Sequence, residues 1–116
     1  MAQRHIVFTI NRPPVGSVYF AEGLRATVGA TAGTDEHTVD VLYLGDGVYF
    51  ALKGVDRTDT AKYIETLTAA GRKLKVEQES LDERGISRDA LAGDIEVIGR
   101  AAALKLIANA DFTAAF

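Results

Sequence analysis

Two carboxylates stand near the end of a predicted strand, where Glu77 and Glu79 are separated by a single residue. On an extended chain, residues two apart point to the same side, so these two side chains would lie on the same side of the strand. Paired carboxylates can exchange protons as acid and base, or they can bind a metal ion. The alternative is that both groups are simply solvated at a strand terminus, and the pattern by itself leaves this open.

A second group of candidates follows the first predicted strand, residues 6–10, where the chain reads Asn-Arg-Pro-Pro-Val-Gly-Ser over residues 11–17. The prolines lack the N–H that extends a sheet, so the strand ends near Asn11. Gly16 permits a turn, and Ser17 is a predicted helix N-cap. Arg12 beside that helix start could hold a phosphate, sulfate or carboxylate. Alternatively, the segment is a rigid turn that carries a solvated arginine.

A third candidate is Asp46, which lies between Gly45 and Gly47 after the predicted strand 39–44. Its carboxylate could face a ligand at the strand end. It could equally cap the helix predicted over residues 48–53, with the glycines supplying backbone freedom.

The composition excludes several classes of chemistry. The 116 residues contain no cysteine, so the chain has no disulfide, thiolate nucleophile, persulfide or cysteine-bound metal. Neither of the two histidines, His5 and His37, has a serine or aspartate at triad spacing, and we expect no resident metal or cofactor. The net charge of −3 gives no attraction to nucleic acid or to an anionic membrane. No apolar segment reaches the ~18 residues of a membrane span, and a cytoplasmic location is predicted.

Five predicted strands alternate with helices through residues 1–116, which we interpret as a single domain. This alternation predicts an α/β fold, a three-layer α/β/α sandwich with a mainly parallel five-stranded sheet. The last strand, 112–116, is predicted at a sheet edge, while the order of the strands stays open.

Local patterns predict several helix boundaries and faces. Ser80 and Glu83 match a capping box, and Gly85 is expected to end that short helix. In the last helix, predicted over residues 100–109, the inward positions are those of Leu104, Ile107 and Ala108.

The chain resembles the DsrE/DsrF-like family of small sulfur-relay proteins, which includes the TusC- and TusD-like subunits. The matching segments cover essentially the whole chain: Arg-Pro-Pro-Val-Gly-Ser at 12–17, Glu-Gly-Leu-Arg at 22–25, Leu-Gly-Asp-Gly-Val-Tyr at 44–49, Ser-Leu-Asp-Glu-Arg-Gly-Ile at 80–86, and the ending 110–116. The resemblance implies a compact α/β/α domain that assembles into trimers or hexamers, sometimes from paralogous subunits.

The resemblance also implies a persulfide-carrying cysteine at the end of the third strand. Counting back from Gly85 of the Arg-Gly pair places that position at Glu77. A carboxylate cannot carry sulfane sulfur, because the relay needs a thiolate that attacks and is attacked at sulfur. What the resemblance then implies is a non-catalytic relative.

Three functional hypotheses remain. The first is a structural or binding subunit in a hetero-oligomer with a cysteine-bearing paralogue. The second is a homo-oligomer that binds a small anion or metabolite at Arg12, the helix start at Ser17 and Asp46. The third is an enzyme that uses Glu77 with Glu79 or Asp46 as an acid–base pair or metal site.

Overall fold

The computed structural model describes residues 4–13, 19–31, 38–55, 61–69, 74–93 and 95–116. The sheet has the strand order β4-β3-β2-β1-β5, and every neighbouring pair is parallel. The strands are β1 His5–Ile10, β2 Thr38–Tyr43, β3 Leu74–Glu77, β4 Ile95–Ile98 and β5 Phe112–Ala115; the α-helices are α1 Tyr19–Thr31, α2 Ala61–Ala69, α3 Gln78–Glu83 and α4 Arg100–Asn109. The predicted α/β fold with a five-stranded parallel sheet is confirmed, and β5 lies at an edge as expected.

The two faces of the sheet bury separate apolar clusters. Phe8 belongs to the larger cluster, together with Leu24 of α1 and Leu67 of α2. Its neighbour Val7 points the opposite way, because side chains alternate along a strand, and packs in the smaller cluster with Ala103 of α4. Helices therefore cover both faces of the sheet, which gives the three layers that the alternating pattern predicts.

Helix α4 has the bounds that the sequence predicts, but two of its three predicted inward positions are wrong. Leu104 is 60% exposed and Ala108 is also exposed, whereas Ala103 is buried and Ile107 is partly buried. The helix carries apolar residues on more than one side, so spacing alone does not identify the face that packs on the sheet.

The segment after β2 differs from its prediction in both its type and its start. A 3₁₀ helix spans Gly45–Ala51, and the residue at its N-cap position is Leu44, with no side-chain hydrogen bond to the helix start. The alternative in which Asp46 caps this helix is therefore wrong.

The predicted capping box at Ser80 and Glu83 is also wrong. Helix α3 begins at Gln78, directly after β3, so Ser80 lies inside the helix and Glu77 takes the N-cap position. The predicted stop is confirmed, since Gly85 follows with a φ of +64°, a conformation that favours glycine.

Gly47 is the position where the backbone of the 3₁₀ segment presses most closely on β1. A Cβ atom placed there would lie 2.6 Å from the carbonyl carbon of Ile10 and would collide with its oxygen. At Gly29, in contrast, a Cβ atom would meet nothing within 4 Å. Only a residue without a side chain at position 47 lets the 3₁₀ helix approach the end of β1 this closely.

We predict that Gly47→Ala lowers the free energy of unfolding by about 2 kcal/mol or more, because the added methyl meets backbone that cannot move aside. The matched control Gly29→Ala, within α1, should stabilise the protein by about 0.5–1 kcal/mol. Urea unfolding monitored by circular dichroism measures both changes. Equal effects of the two substitutions would contradict the close approach at Gly47.

Candidate functional site

The carboxyl ends of all five strands meet at one edge of the sheet, because every pair is parallel. Backbone hydrogen bonds join the ends: the Leu44 N–H donates to the Ile10 oxygen over 3.0 Å, and the Asn11 N–H donates to the Phe116 oxygen over 3.1 Å. Glu77 ends β3, and Arg100 begins α4 after a single residue that follows the neighbouring strand β4. The strand order thus brings these two charged residues together.

Glu77 is the central residue of this edge, and it is only 6% exposed. The Ser80 hydroxyl donates to its Oε1 over 2.6 Å, and Arg100 Nη2 donates to the same atom over 3.1 Å. Arg100 Nε donates to Oε2 over 3.3 Å. Both carboxylate oxygens are therefore hydrogen-bonded, as a buried charge requires.

The turn from β3 into α3 explains how Ser80 reaches Glu77. Because the helix begins at Gln78, the chain turns directly after β3, and this turn brings Ser80 close to the side chain of Glu77. The Ser80 hydroxyl also accepts the Gly45 N–H over 3.0 Å. A single buried hydroxyl thus donates to the end of β3 and accepts from the first residue of the 3₁₀ helix after β2, so it acts as donor and acceptor at once.

Arg100 contacts three carboxylates. Besides Glu77, its Nη2 donates to Glu83 Oε1 over 2.9 Å, and its backbone N–H donates to Glu79 Oε1 over 2.7 Å. Hydrogen bonds to Glu77 and Glu83 raise the pKa of Arg100 further above its usual range. The cation therefore ties the start of α4 to β3 and α3.

Glu77 and Glu79 do converge, but not in the geometry that the sequence predicts. Glu79 lies on α3 rather than on a continuing strand, so the rule for extended chains does not apply to it. The two carboxylates meet through Arg100 and not as a facing pair.

The pKa of Glu77 is the balance of two opposed effects. Burial raises it, but hydrogen bonds from Arg100 and Ser80, with the positive charges of Arg100 and Arg84, outweigh burial. The net result holds the pKa of Glu77 below the ordinary glutamate value of 4.5. The group is therefore ionised at neutral pH, where a general acid would need to be protonated.

Asp46 pairs with an arginine of the same edge. Arg84, which follows α3, lies with its Nη2 3.0 Å from Asp46 Oδ1 and its Nε 3.1 Å from the same oxygen. Arg84 Nη1 also donates to the Ser80 carbonyl over 3.1 Å. The Asp46 side chain is 54% exposed, so this is a surface ion pair beside the Glu77 site.

Of the remaining predicted site residues, two are described by the structure and two are not. Asn11 is exposed, and its side-chain amide donates to the Thr9 hydroxyl over 3.1 Å. Arg12 is exposed at the same edge of the sheet. Gly16 and the predicted N-cap Ser17 lie outside the described residues, so the anion site stays a prediction.

Ser80, Arg84 and Arg100 are site residues that the sequence motifs do not identify as such. Part of the signal is in the sequence, because Arg100 follows a predicted strand after one intervening glycine and Glu77 lies near the end of another predicted strand. Pairing them requires β3 and β4 to be neighbours, which the strand order supplies and the linear pattern does not.

A second ionic cluster occupies the sheet nearer its amino end. Asp40 interrupts the apolar run of β2, and its carboxylate lies 2.7 Å from His5 Nε2 and 2.6 Å from Lys75 Nζ. All three side chains are partly buried. Among the residues that the structure describes, no group of three or more histidine, cysteine or acidic side chains is placed to hold a metal ion.

Within the described ranges, no helix is long and apolar enough to cross a membrane. The architecture defines a three-layer α/β protein with one ionic cluster at the carboxyl edge of a parallel sheet and another nearer the amino end. A family model described as the DsrE/DsrF-like family matches residues 4–113. The chain therefore belongs to the DsrE/DsrF-like family, which is linked to sulfur relay, and the resemblance seen in the sequence is confirmed.

Two solved structures share the fold. The YchN protein from E. coli superimposes with a TM-score of 0.82 at 24% identity, covering 100% of both chains. MTH1491 from Methanobacterium thermoautotrophicum, a protein of unknown function, has a TM-score of 0.74 at 15% identity, covering 95% of this chain and 97% of its own. No protein of curated function matches the chain in sequence.

We predict that Glu77→Gln lowers the free energy of unfolding at pH 7 by about 1–3 kcal/mol, because it removes a charged acceptor from a buried site. The native pKa of Glu77 is depressed, so this stabilisation is complete above the unfolded value of about 4.5 and is lost as the pH falls through the lower native value.

Urea unfolding at a series of pH values checks this prediction, and the difference from wild type should shrink on acidification below pH 4.5. The control is Glu65→Gln at an exposed position of α2, where we expect a change within about 0.5 kcal/mol. A pH-independent difference for Glu77→Gln would show that the carboxylate charge is not what stabilises this site.

Proposed function

We propose that this chain is a non-catalytic subunit of a sulfur-relay assembly, in which it binds and supports a cysteine-bearing paralogue of its own family. The observation that carries the proposal is the absence of cysteine from all 116 residues of a DsrE/DsrF-like chain. Without a thiol, the chain has no group that can accept sulfur from a donor and pass it on.

The surroundings of Glu77 support the same proposal. The position that the resemblance assigns to the sulfur-carrying cysteine holds a carboxylate whose oxygens are engaged by Ser80 and Arg100. The hydrogen bonds and ion pairs of this carboxylate are all made with residues of the same chain. Such internal contacts suit a subunit in which the carboxyl edge of the sheet keeps a fixed shape.

The proposal also accounts for the arginines of this edge. Arg84 and Arg100 are both bound to carboxylates of the same chain, Asp46 for the first and Glu77 and Glu83 for the second. Neither arginine is therefore offered to a small anion without first breaking an internal ion pair. Of the residues named in the small-anion hypothesis, Asp46 is thus engaged by Arg84, while the hypothesis at Arg12 and Ser17 stays a prediction.

We predict a mixed oligomer when the full chain is combined with a cysteine-bearing DsrE/DsrF-like protein from the same cell. The two proteins, expressed together with a tag on this chain only, should elute as one species whose native mass spectrum contains both subunits. After incubation with a sulfur donor, the mass of one sulfur atom should appear on the partner and not on this chain.

The control is the partner with its family cysteine replaced by serine, which should assemble equally well and remain unloaded. Recovery of this chain only as copies of itself, with every cysteine-bearing relative of that cell in separate fractions, would contradict the proposal. That outcome would instead favour the stand-alone homo-oligomer.

A further inference from the structure

We propose that Ser80 and Arg100 form a site for one buried anionic group at the end of β3, here named the anion cradle, and that Glu77 is its resident anion. A sulfur anion attached at residue 77 would be held by the same donors. The inference deepens the proposed function and rests on it for the sulfur chemistry alone.

The cradle presents only donors to the group that it holds. The Ser80 hydroxyl and Arg100 Nη2 both donate to Oε1 of Glu77, and Arg100 Nε donates to Oε2. Glu77 is 6% exposed, so these donors replace most of the water that would otherwise solvate its charge. The chemistry that fits is a compact group with one negative charge.

The donors are anchored independently of Glu77. The Ser80 hydroxyl accepts the Gly45 N–H, which fixes its oxygen from the other side. Arg100 is held through its backbone by Glu79 and through Nη2 by Glu83. Shortening the side chain at residue 77 therefore removes the anion and leaves the cradle in place.

A persulfide anion matches the resident carboxylate in charge and nearly in reach. The terminal sulfur of a cysteine persulfide lies two bonds beyond Cβ, and its S–S bond is about 2.05 Å long. A glutamate oxygen lies three shorter bonds beyond Cβ. Glu77 is thus a permanent mimic of the sulfur-loaded side chain, which keeps Arg100 and Ser80 in the arrangement of a loaded site.

A cysteine thiol at residue 77 tests the charge of the cradle, because its sulfur lies one bond beyond Cβ and senses Arg100 through space. The natural chain contains no cysteine to confuse the signal. Burial would raise the thiol pKa, whereas the Arg100 charge would lower it, and the cradle predicts that the charge prevails. In Glu77→Cys, the rate of alkylation by iodoacetamide, in which the thiolate displaces iodide, reports the thiolate fraction at each pH.

The expected thiol pKa in Glu77→Cys is at least about one unit below that of an exposed control, Ala108→Cys. Adding Arg100→Gln to Glu77→Cys should return the pKa to the control value or above it. A Glu77→Cys pKa equal to or above the control, with the protein folded, would overturn the cradle.

A second measurement decides the matter if Glu77→Cys does not fold. In Glu77→Ala, sodium formate should raise the thermal midpoint, because the free carboxylate enters the emptied cradle. Formamide, its neutral analogue, should not. The wild type and the double variant Glu77→Ala/Arg100→Gln should show no formate-specific rise, and an equal response in all three proteins would overturn the proposal. Neither experiment involves a partner, so failure here is distinct from failure to form a mixed oligomer.

Discussion

A buried carboxylate must have donors, and this requirement governs the carboxyl edge of the sheet. Glu77 is nearly inaccessible, and an uncompensated charge there would cost several kcal/mol. Arg100 and Ser80 supply the compensation from two different helices. Because each donor is itself bound elsewhere, the ends of β2, β3 and β4 are joined through one carboxylate.

The parallel topology makes this possible. Each strand end in such a sheet lies at the same edge, so residues distant in sequence become neighbours without any long loop. Arg100 and Glu77 meet across 23 positions of sequence, and Arg84 and Asp46 meet across 38. The parallel fold thus aligns the strand ends along one edge of the sheet. The residues at those ends decide whether the edge is a reactive site or only stabilises the chain.

The sequence predicts the fold better than it predicts the site. Continuous apolar runs identify buried parallel strands, and the bounds of α4 follow from residues 100–109 alone. The prediction of which face of α4 packs on the sheet is wrong, because Leu104 and Ala108 are apolar but exposed. The partners of Glu77 were missed because hydrogen bonds between strand ends depend on strand order, which local periodicity does not contain. The absence of cysteine chemistry, by contrast, follows from the composition alone, because the chain contains no cysteine.

The joined strand ends depend most on Glu77 being a charged group that is held by Arg100 and Ser80. Titration of the Glu77 side-chain carboxyl carbon by ¹³C NMR measures this directly, and the spectrum of Glu77→Gln assigns the resonance. We expect a midpoint for Glu77 below 4.5. A midpoint at or above 4.5 would mean that burial outweighs the donors, and it would contradict the central claim.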